Sequence, residues 1–316
     1  MSPSKTLGKF FHFGFALTLT WLSSCSTANK TTNSKLVGLK HSYCTPTVAY
    51  QQSVLFWNDS SAIDTTKTHI SPHDKLLCQM LGISFYVNQL AVLEKDGFQK
   101  RATERLFLMQ KINGRLRVAQ SELQAIAAEL DCEGERSDMA ADYLDKLDSK
   151  RNRNFTVASV IVASLTTVAT VAISGNGGQT AVGVGGGLIS AGLGATTINP
   201  KGHKLEFLHE RNLLRSIWSE TEANTDYPGF VWKMLHEKRF SNIGDKTLSM
   251  SIKNRWIEFE FDGKVQGDPQ TLLFGNGGLY HADDLHTRSS LINQLQSTIR
   301  SINQDLTSLV VYIEGL

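Results

Sequence analysis

Residues 98–130 read FQKRATERLFLMQKINGRLRVAQSELQAIAAEL, and their apolar side chains recur at alternating steps of three and four residues. The members of this stripe are Phe98, Ala102, Met109, Ile112, Leu116, Ala119, Leu123, Ile126 and Leu130. A 3.5-residue repeat places such side chains along one seam of a helix, as in a coiled coil. Arg105 is the one misfit, and Gly114 weakens a helix by about 1 kcal/mol without needing to break it. The stretch therefore predicts a helix of roughly 50 Å with an apolar seam.

A second seam of the same spacing lies near the end of the sequence. It belongs to a predicted helix that begins near Asp283, and Arg288 is its one interruption. Its members are Leu285, Ile292, Leu295, Ile299, Ile302, Leu306, Leu309 and Ile313. We expect the two seams to pack on each other. The predicted fold class is mainly α: a long helical bundle or coiled-coil stalk, with a charge-free helical hairpin and a small α+β portion.

Capping and breaking signals place the other helices. Ser71 before Pro72 predicts a helix that begins there and runs to about Lys95. The Cys132-Glu133-Gly134 sequence predicts the start of a separate helix. This helix is the last element of a predicted region over residues 36–154, which comprises the N-terminal segment and the long helices. Residues 203–225 are also predicted to be helical, because leucines alternate there with charged residues.

Strand signals are few. Residues 44–57 contain two short apolar runs that predict a strand. Strict alternation over Trp256–Phe261 predicts another, and Leu272–Phe274 predicts a third. Residues 201–316 are therefore expected to comprise a helix, a small β portion and the C-terminal helix.

Residues 155–200 contain no charged side chain. The Gly-Asn-Gly-Gly-Gln sequence at 175–179 divides this block into two halves, each of about the length that crosses a hydrocarbon core. Small residues recur at helical spacing in the second half: Gly183, Gly187, Ala191 and Ala195. Such a row lets two helix backbones approach closely. The block predicts a glycine-rich helical hairpin, packed or self-associated through these four residues.

Basic residues flank both ends of this hairpin, and we predict that they contact lipid headgroups. They are Lys150, Arg151, Arg153, Lys201 and Lys204. A hairpin that inserts into a membrane is one interpretation. The alternative is a hairpin buried in the fold or in an apolar oligomer contact, because glycine and hydroxyl groups oppose insertion. The layout resembles the stalk-and-hairpin plan of helical pore-forming toxins of the haemolysin E kind, in architecture only.

The first 25 residues carry a targeting signal. Lys5 and Lys9 precede an apolar run from Phe10 to Leu22, which is too short for a stable membrane anchor. The run ends in Leu22-Ser23-Ser24-Cys25. This sequence resembles the lipobox of bacterial lipoproteins, so residues 1–24 are a predicted signal peptide and Cys25 a predicted lipidation site.

The same resemblance predicts location. Ser26 stands where an Asp would retain a lipoprotein at the inner membrane, which favours the outer membrane. Small polar residues up to Lys35 then predict a flexible tether over residues 25–35. The chain is expected in the cell envelope, held to a membrane by its lipid.

Composition excludes some functions and leaves the disulfide open. The net charge is +2, which is too balanced to indicate nucleic acid as a partner. Cys44, Cys78 and Cys132 remain after Cys25, and one disulfide plus one thiol could form in an oxidising compartment. The spacing does not assign the pair.

No motif predicts catalysis or a cofactor. The glycines at 183–187 lack the Lys-Ser/Thr of a phosphate loop, and no GxSxG sequence is present. His281–His286 contains metal-ligand residue types, but Asp283 or Asp284 is expected to cap the last helix instead. We therefore expect a structural or membrane-active lipoprotein, not an enzyme, with a membrane, a homo-oligomer or an envelope protein as partner. The alternative is a soluble periplasmic interaction module with its hairpin buried.

Overall fold

The computed structural model describes residues 37–50, 63–64, 68–95, 101–172, 183, 185–192, 202–220, 226–241, 244–264 and 268–316. The chain divides into two compact units, residues 1–41 and 42–316. Helix α1, Val37–Lys40, lies in the first unit. The predicted signal peptide, Cys25 and the tether up to residue 35 lie outside the described residues, as do Phe98 and the second half of the predicted 44–57 strand.

The second unit is mainly α, which confirms the predicted fold class. Its described elements are, in chain order, α2 (Pro72–Leu81), α3 (Ser84–Lys95), α4 (Ala102–Ala172), β1 (Leu205–Leu208), α5 (Leu213–Ser219), α6 (Gly229–His236), a 3-10 turn (Lys238–Phe240), α7 (Leu248–Arg255), a π-helical turn (Trp256–Glu260), α8 (Asp268–Phe274), β2 (Gly277–Tyr280) and α9 (Ala282–Glu314). Residues 185–192 are also helical.

Helices α4 and α9 pack antiparallel along the two predicted seams. The Gln296 side chain donates to the carbonyl of Ala127 at 3.0 Å. All eight predicted seam residues of α9 are buried, and six of α4 are: Ile112, Leu116, Ala119, Leu123, Ile126 and Leu130. The seam prediction was wrong before Ile112, where Ala102 is exposed, Leu108 is buried and Met109 is only half-buried.

The two arginines that interrupt the seams have specific partners. Arg105 donates to the carbonyl of Leu316 at 2.7 Å, at the C-terminal end of α9, where cations are favoured. Arg288 is fully buried and donates to the carbonyl of Leu273 at 3.1 Å. Each arginine that interrupts the apolar pattern therefore forms a hydrogen bond to another part of the fold.

The predicted break at Cys132-Glu133-Gly134 was wrong, because α4 runs through it without interruption. A Cβ at Gly134 would lie 3.1 Å from the Asn293 side chain, so this glycine allows a close approach to α9. Cys132 forms a disulfide with Cys44. Cys78 is buried and takes no part in that disulfide.

The start of the first predicted helix is correct, and its continuity is wrong. Ser71 caps α2 by accepting from the backbone N–H of Asp74, with Pro72 in the first turn. Gly82 then adopts a left-handed φ of 64°, which ends α2 and turns the chain into α3.

Within the described residues, the helix predicted over 203–225 is confirmed at α5 and wrong at its start. Residues 205–208 form a strand, not a helix, because Leu205 and Phe207 alternate with more exposed neighbours. Strand β1 pairs antiparallel with β2, Leu205 opposite Tyr280.

Two of the three predicted strands are helical, and the described part of the third, residues 44–50, forms no strand. Residues 256–260 are helical because Trp256 follows Ile252 on one buried face. Residues 272–274 end α8, where the Phe274 ring stacks on Trp218 at 4.3 Å.

Ile299→Ala tests the seam. Ile299 is fully buried, so we expect the free energy of unfolding to fall by about 2–5 kcal/mol in chemical denaturation. The control is Val311→Ala on the same helix, where the side chain is 65% exposed and the change should stay within about 0.5 kcal/mol. Equal effects of the two substitutions would contradict the packing described here.

Candidate membrane-binding site

The described part of the predicted hairpin, called the arm below, comprises residues 155–172, 183 and 185–192. None of the side chains described at 155–168, 183 and 185–192 is buried. Five apolar side chains of α4 are more than half exposed here: Val157, Val160, Ile161, Leu165 and Val168. Steps of three, four or one residue place them on one side of α4, which we call the outer face.

The opposite side of this stretch contacts the returning helix. The Ser190 hydroxyl donates to the carbonyl of Ser159 at 3.2 Å. A Cβ at Gly186 would overlap the Thr166 side chain, so only glycine fits there. Leu188 and Ile189 point away from this contact and are 69% and 58% exposed. The two helices therefore meet through small and hydroxyl-bearing residues.

The arm exposes its larger apolar side chains, unlike a helix pair packed in water. Apolar stripes normally face inward there, and polar residues face the solvent. The hydroxyl groups of the arm need no water, because they donate to carbonyls three or four residues earlier in α4, at 2.8–3.0 Å. These residues are Thr156, Ser159, Ser164, Thr166 and Thr167. Small residues inside and satisfied backbone-bound hydroxyls are typical of helices packed in lipid.

The predicted small-residue row does not form this contact. A Cβ at Gly183 or Gly187 would meet nothing within 4 Å, and Ala191 is exposed. Ala195 lies outside the described residues. The residues that contact α4 are instead Gly186 and Ser190, which are half-buried and four residues apart. The helical spacing was right, but from Gly187 onward the chosen residues were one position out of phase.

The two ends of the arm are held together at its root. The Asp148 carboxylate on α4 accepts from the His203 backbone N–H at 3.1 Å, and its Oδ1 lies 2.5 Å from His203 Nδ1. A Cβ at Gly202 would lie 3.0 Å from the same carboxylate. Sequence analysis missed Asp148 and His203, since nothing local in sequence pairs residues 55 positions apart.

Basic side chains surround this root. Lys150, Arg153 and Lys204 are exposed. Arg151 is half-buried and lies 3.7 Å from the Asp148 carboxylate, so it forms an ion pair within the root. Lys201 lies outside the described residues.

A buried polar cluster lies between α4 and the two-stranded sheet. Arg136 pairs with Glu133 at 2.9 Å, and its guanidinium lies 3.7 Å from the centre of the Phe207 ring. His209 Nε2 lies 2.8 Å from the Tyr280 hydroxyl, and burial, with help from nearby arginines, drives the pKa of His209 far below its ordinary value. Arg136 and His209 are at most 1% exposed, so this cluster fastens the sheet to α4 and is closed to solvent.

Within the described residues no single helix has the length and hydropathy expected of a membrane span. The bent pair α2 and α3 meets that criterion jointly, with an angle of 118° between its helices. Leu77, Val87 and Leu90 of this pair are fully buried in the fold.

Comparisons with protein-family models, with curated proteins and with solved structures returned no match. The architectural resemblance to helical pore-forming toxins therefore stays a prediction.

Gly186→Leu tests the contact inside the arm. The new side chain would overlap Thr166 and should force the two helices apart. A disulfide engineered between cysteines at 159 and 190 would then form much less readily than in the parent, as measured on non-reducing gels. The matched control is Gly187→Leu, where the space is open. Equal loss of crosslinking in both variants would refute this packing.

Proposed function

We propose that this chain is a lipid-anchored envelope lipoprotein, at the outer membrane, with a membrane-active or structural role. Its arm would insert into a bilayer through the outer face. The exposure pattern of the arm carries this proposal: its larger apolar side chains face outward, while its two helices contact each other through Thr166, Gly186 and Ser190. In water this arrangement is unfavourable, and in a bilayer it is the favourable one.

The exposed apolar surface gives insertion its driving force. Seven side chains of the arm are more than half exposed: Val157, Val160, Ile161, Leu165, Val168, Leu188 and Ile189. Burial contributes about 1.5–3 kcal/mol for each such side chain when complete, so their transfer is worth on the order of 10 kcal/mol. This gain opposes the cost of burying the glycines and hydroxyl groups.

The dimensions and charges of the arm suit a bilayer. From Phe155 to Ala172 helix α4 rises about 27 Å, close to the roughly 30 Å of a hydrocarbon core. Lys150, Arg153 and Lys204 stand at the root, at the level where anionic headgroups would lie. The Cys44–Cys132 disulfide suits an oxidising compartment outside the cytoplasm, in keeping with the lipobox at Cys25.

Self-association is the second candidate function. Gly183 and Gly187 leave open space at the arm surface, and Ala191 is exposed beside them. A second copy could pack closely on this row in lipid. The interaction module with a buried hairpin is less well supported, because no described side chain of the arm is buried.

Leu165→Asp tests insertion. The unlipidated chain, residues 26–316, is mixed with vesicles and floated on a density gradient. A charge at this 64% exposed position should abolish or sharply reduce flotation, because a carboxylate is costly in the hydrocarbon core. Val311→Asp is the control, since Val311 is equally exposed but lies on α9, away from the arm. Flotation that survives Leu165→Asp, or is lost equally with Val311→Asp, would contradict the proposal.

The paired substitution Lys150→Glu and Arg153→Glu tests the headgroup contact. Binding to anionic vesicles should weaken, by about 1 kcal/mol or more for each charge reversed, and binding to neutral vesicles should change little. Rising salt should remove the difference in binding to anionic vesicles between the parent and this variant. Arg117→Glu, an exposed position on α4 far from the root, is the control. An equal effect on neutral vesicles would exclude an electrostatic role.

A further inference from the structure

Three metal-ligating side chains from two helices meet on the surface below the arm. Asp142 and Asp145 lie one turn apart on α4, and His286 reaches them from α9. One donor atom from each lies within 4.8 Å of the other two. His286 belongs to the His281–His286 stretch whose residue types suggested a metal in the sequence. The other members of that stretch form the cap of α9, where the His281 backbone N–H donates to Asp284 at 2.9 Å.

The imidazole of His286 lies between two carboxylates, and one of its nitrogens is within hydrogen-bond distance of a carboxylate oxygen. Nε2 lies 2.9 Å from Asp145 Oδ2, and Nδ1 lies 3.9 Å from Asp138 Oδ1. Metal-binding histidines commonly present one nitrogen to the ion and the other to a carboxylate, which fixes the ring. Asp138 lies on the side of that second nitrogen, beyond hydrogen-bond distance.

The surroundings leave room for an ion and its water. Asp142 and Asp145 line a surface recess of about 510 Å³ with Ser149 and three basic side chains, Lys146, Lys150 and Arg153, and His286 lines a second recess beside Asp138. All three ligand side chains are exposed, so small rotations can bring their donors to the 2.0–2.2 Å that Zn²⁺ requires. Three protein ligands leave a fourth tetrahedral position for solvent.

We propose that Asp142, Asp145 and His286 bind a divalent transition-metal ion of the Zn²⁺ class. The imidazole donor from a separate helix distinguishes this set from an acidic patch, since Mg²⁺ and Ca²⁺ prefer oxygen ligands alone. The ion would link α4 to α9 ten residues before Phe155, about 15 Å below the base of the arm. It would thereby stiffen the root. This inference is independent of membrane insertion.

The test is calorimetric titration of the full chain with ZnCl₂, at a pH where histidine is neutral. We expect one equivalent to bind, and His286→Ala and Asp145→Asn each to weaken binding at least tenfold. Asp138→Asn should weaken it less than either of these, because Asp138 lies 3.9 Å from His286 Nδ1, beyond hydrogen-bond distance. Bound Zn²⁺ should raise the melting temperature of the parent and not that of His286→Ala.

His73→Ala is the matched control. His73 also lies between two carboxylates, 3.1 Å from Asp305 and 3.7 Å from Asp74, but those groups do not converge with it as ligands. This substitution should leave Zn²⁺ affinity unchanged. Absence of Zn²⁺ binding, unchanged affinity in His286→Ala, or equal binding of Ca²⁺ at the same residues would each overturn the site. Melting curves without metal establish that the variants fold.

Discussion

The antiparallel contact between α4 and α9 is the constraint on which the second unit depends. Each helix presents an apolar seam, and the residues of both seams are buried along this contact. The α+β portion packs on this pair, with the sheet fastened through Arg136 and the cap of α5 linked to α9 through Arg288 and Asn212. The arm is the part of α4 that continues beyond the end of α9. Its exposure follows from that difference in length.

Charged groups inside this contact raise a question of energetics. Arg136 and Arg288 are buried near Glu133, with Arg288 Nη2 3.9 Å from its carboxylate. Two cations near one anion add little net stability, since desolvation offsets much of their attraction. Their backbone partners, the carbonyls of Leu208 and Leu273, lie in the α+β portion. We infer that these arginines select which surface of α4 and α9 the sheet occupies.

The sequence predicted what depends on helical periodicity and missed what depends on distant partners. Ile299 and Leu130 were assigned to the core because a 3.5-residue pattern constrains them locally. Gly134 was read as a break, since the neighbour that requires a small residue, Asn293, lies 159 positions away. The alternation at Trp256–Phe261 fits a strand. Trp256 and Ile252, four residues apart, are both buried, and this spacing is that of one face of a helix. For the arm, the sequence indicated the correct block and spacing. The choice of Gly186 over Gly187 required the position of Thr166.

The continuity of α4 has a mechanical consequence. From the disulfide at Cys132 to Ala172 the helix contains no proline, and its one glycine, Gly134, is packed against α9. The part beyond Asp148 is therefore a lever about 36 Å long with no hinge of its own. A tilt of about 10° at the root would displace its far end by about 6 Å. Any force on the arm is thus transmitted to the Asp148–His203 contact and the α4–α9 seam, and is not absorbed along the way.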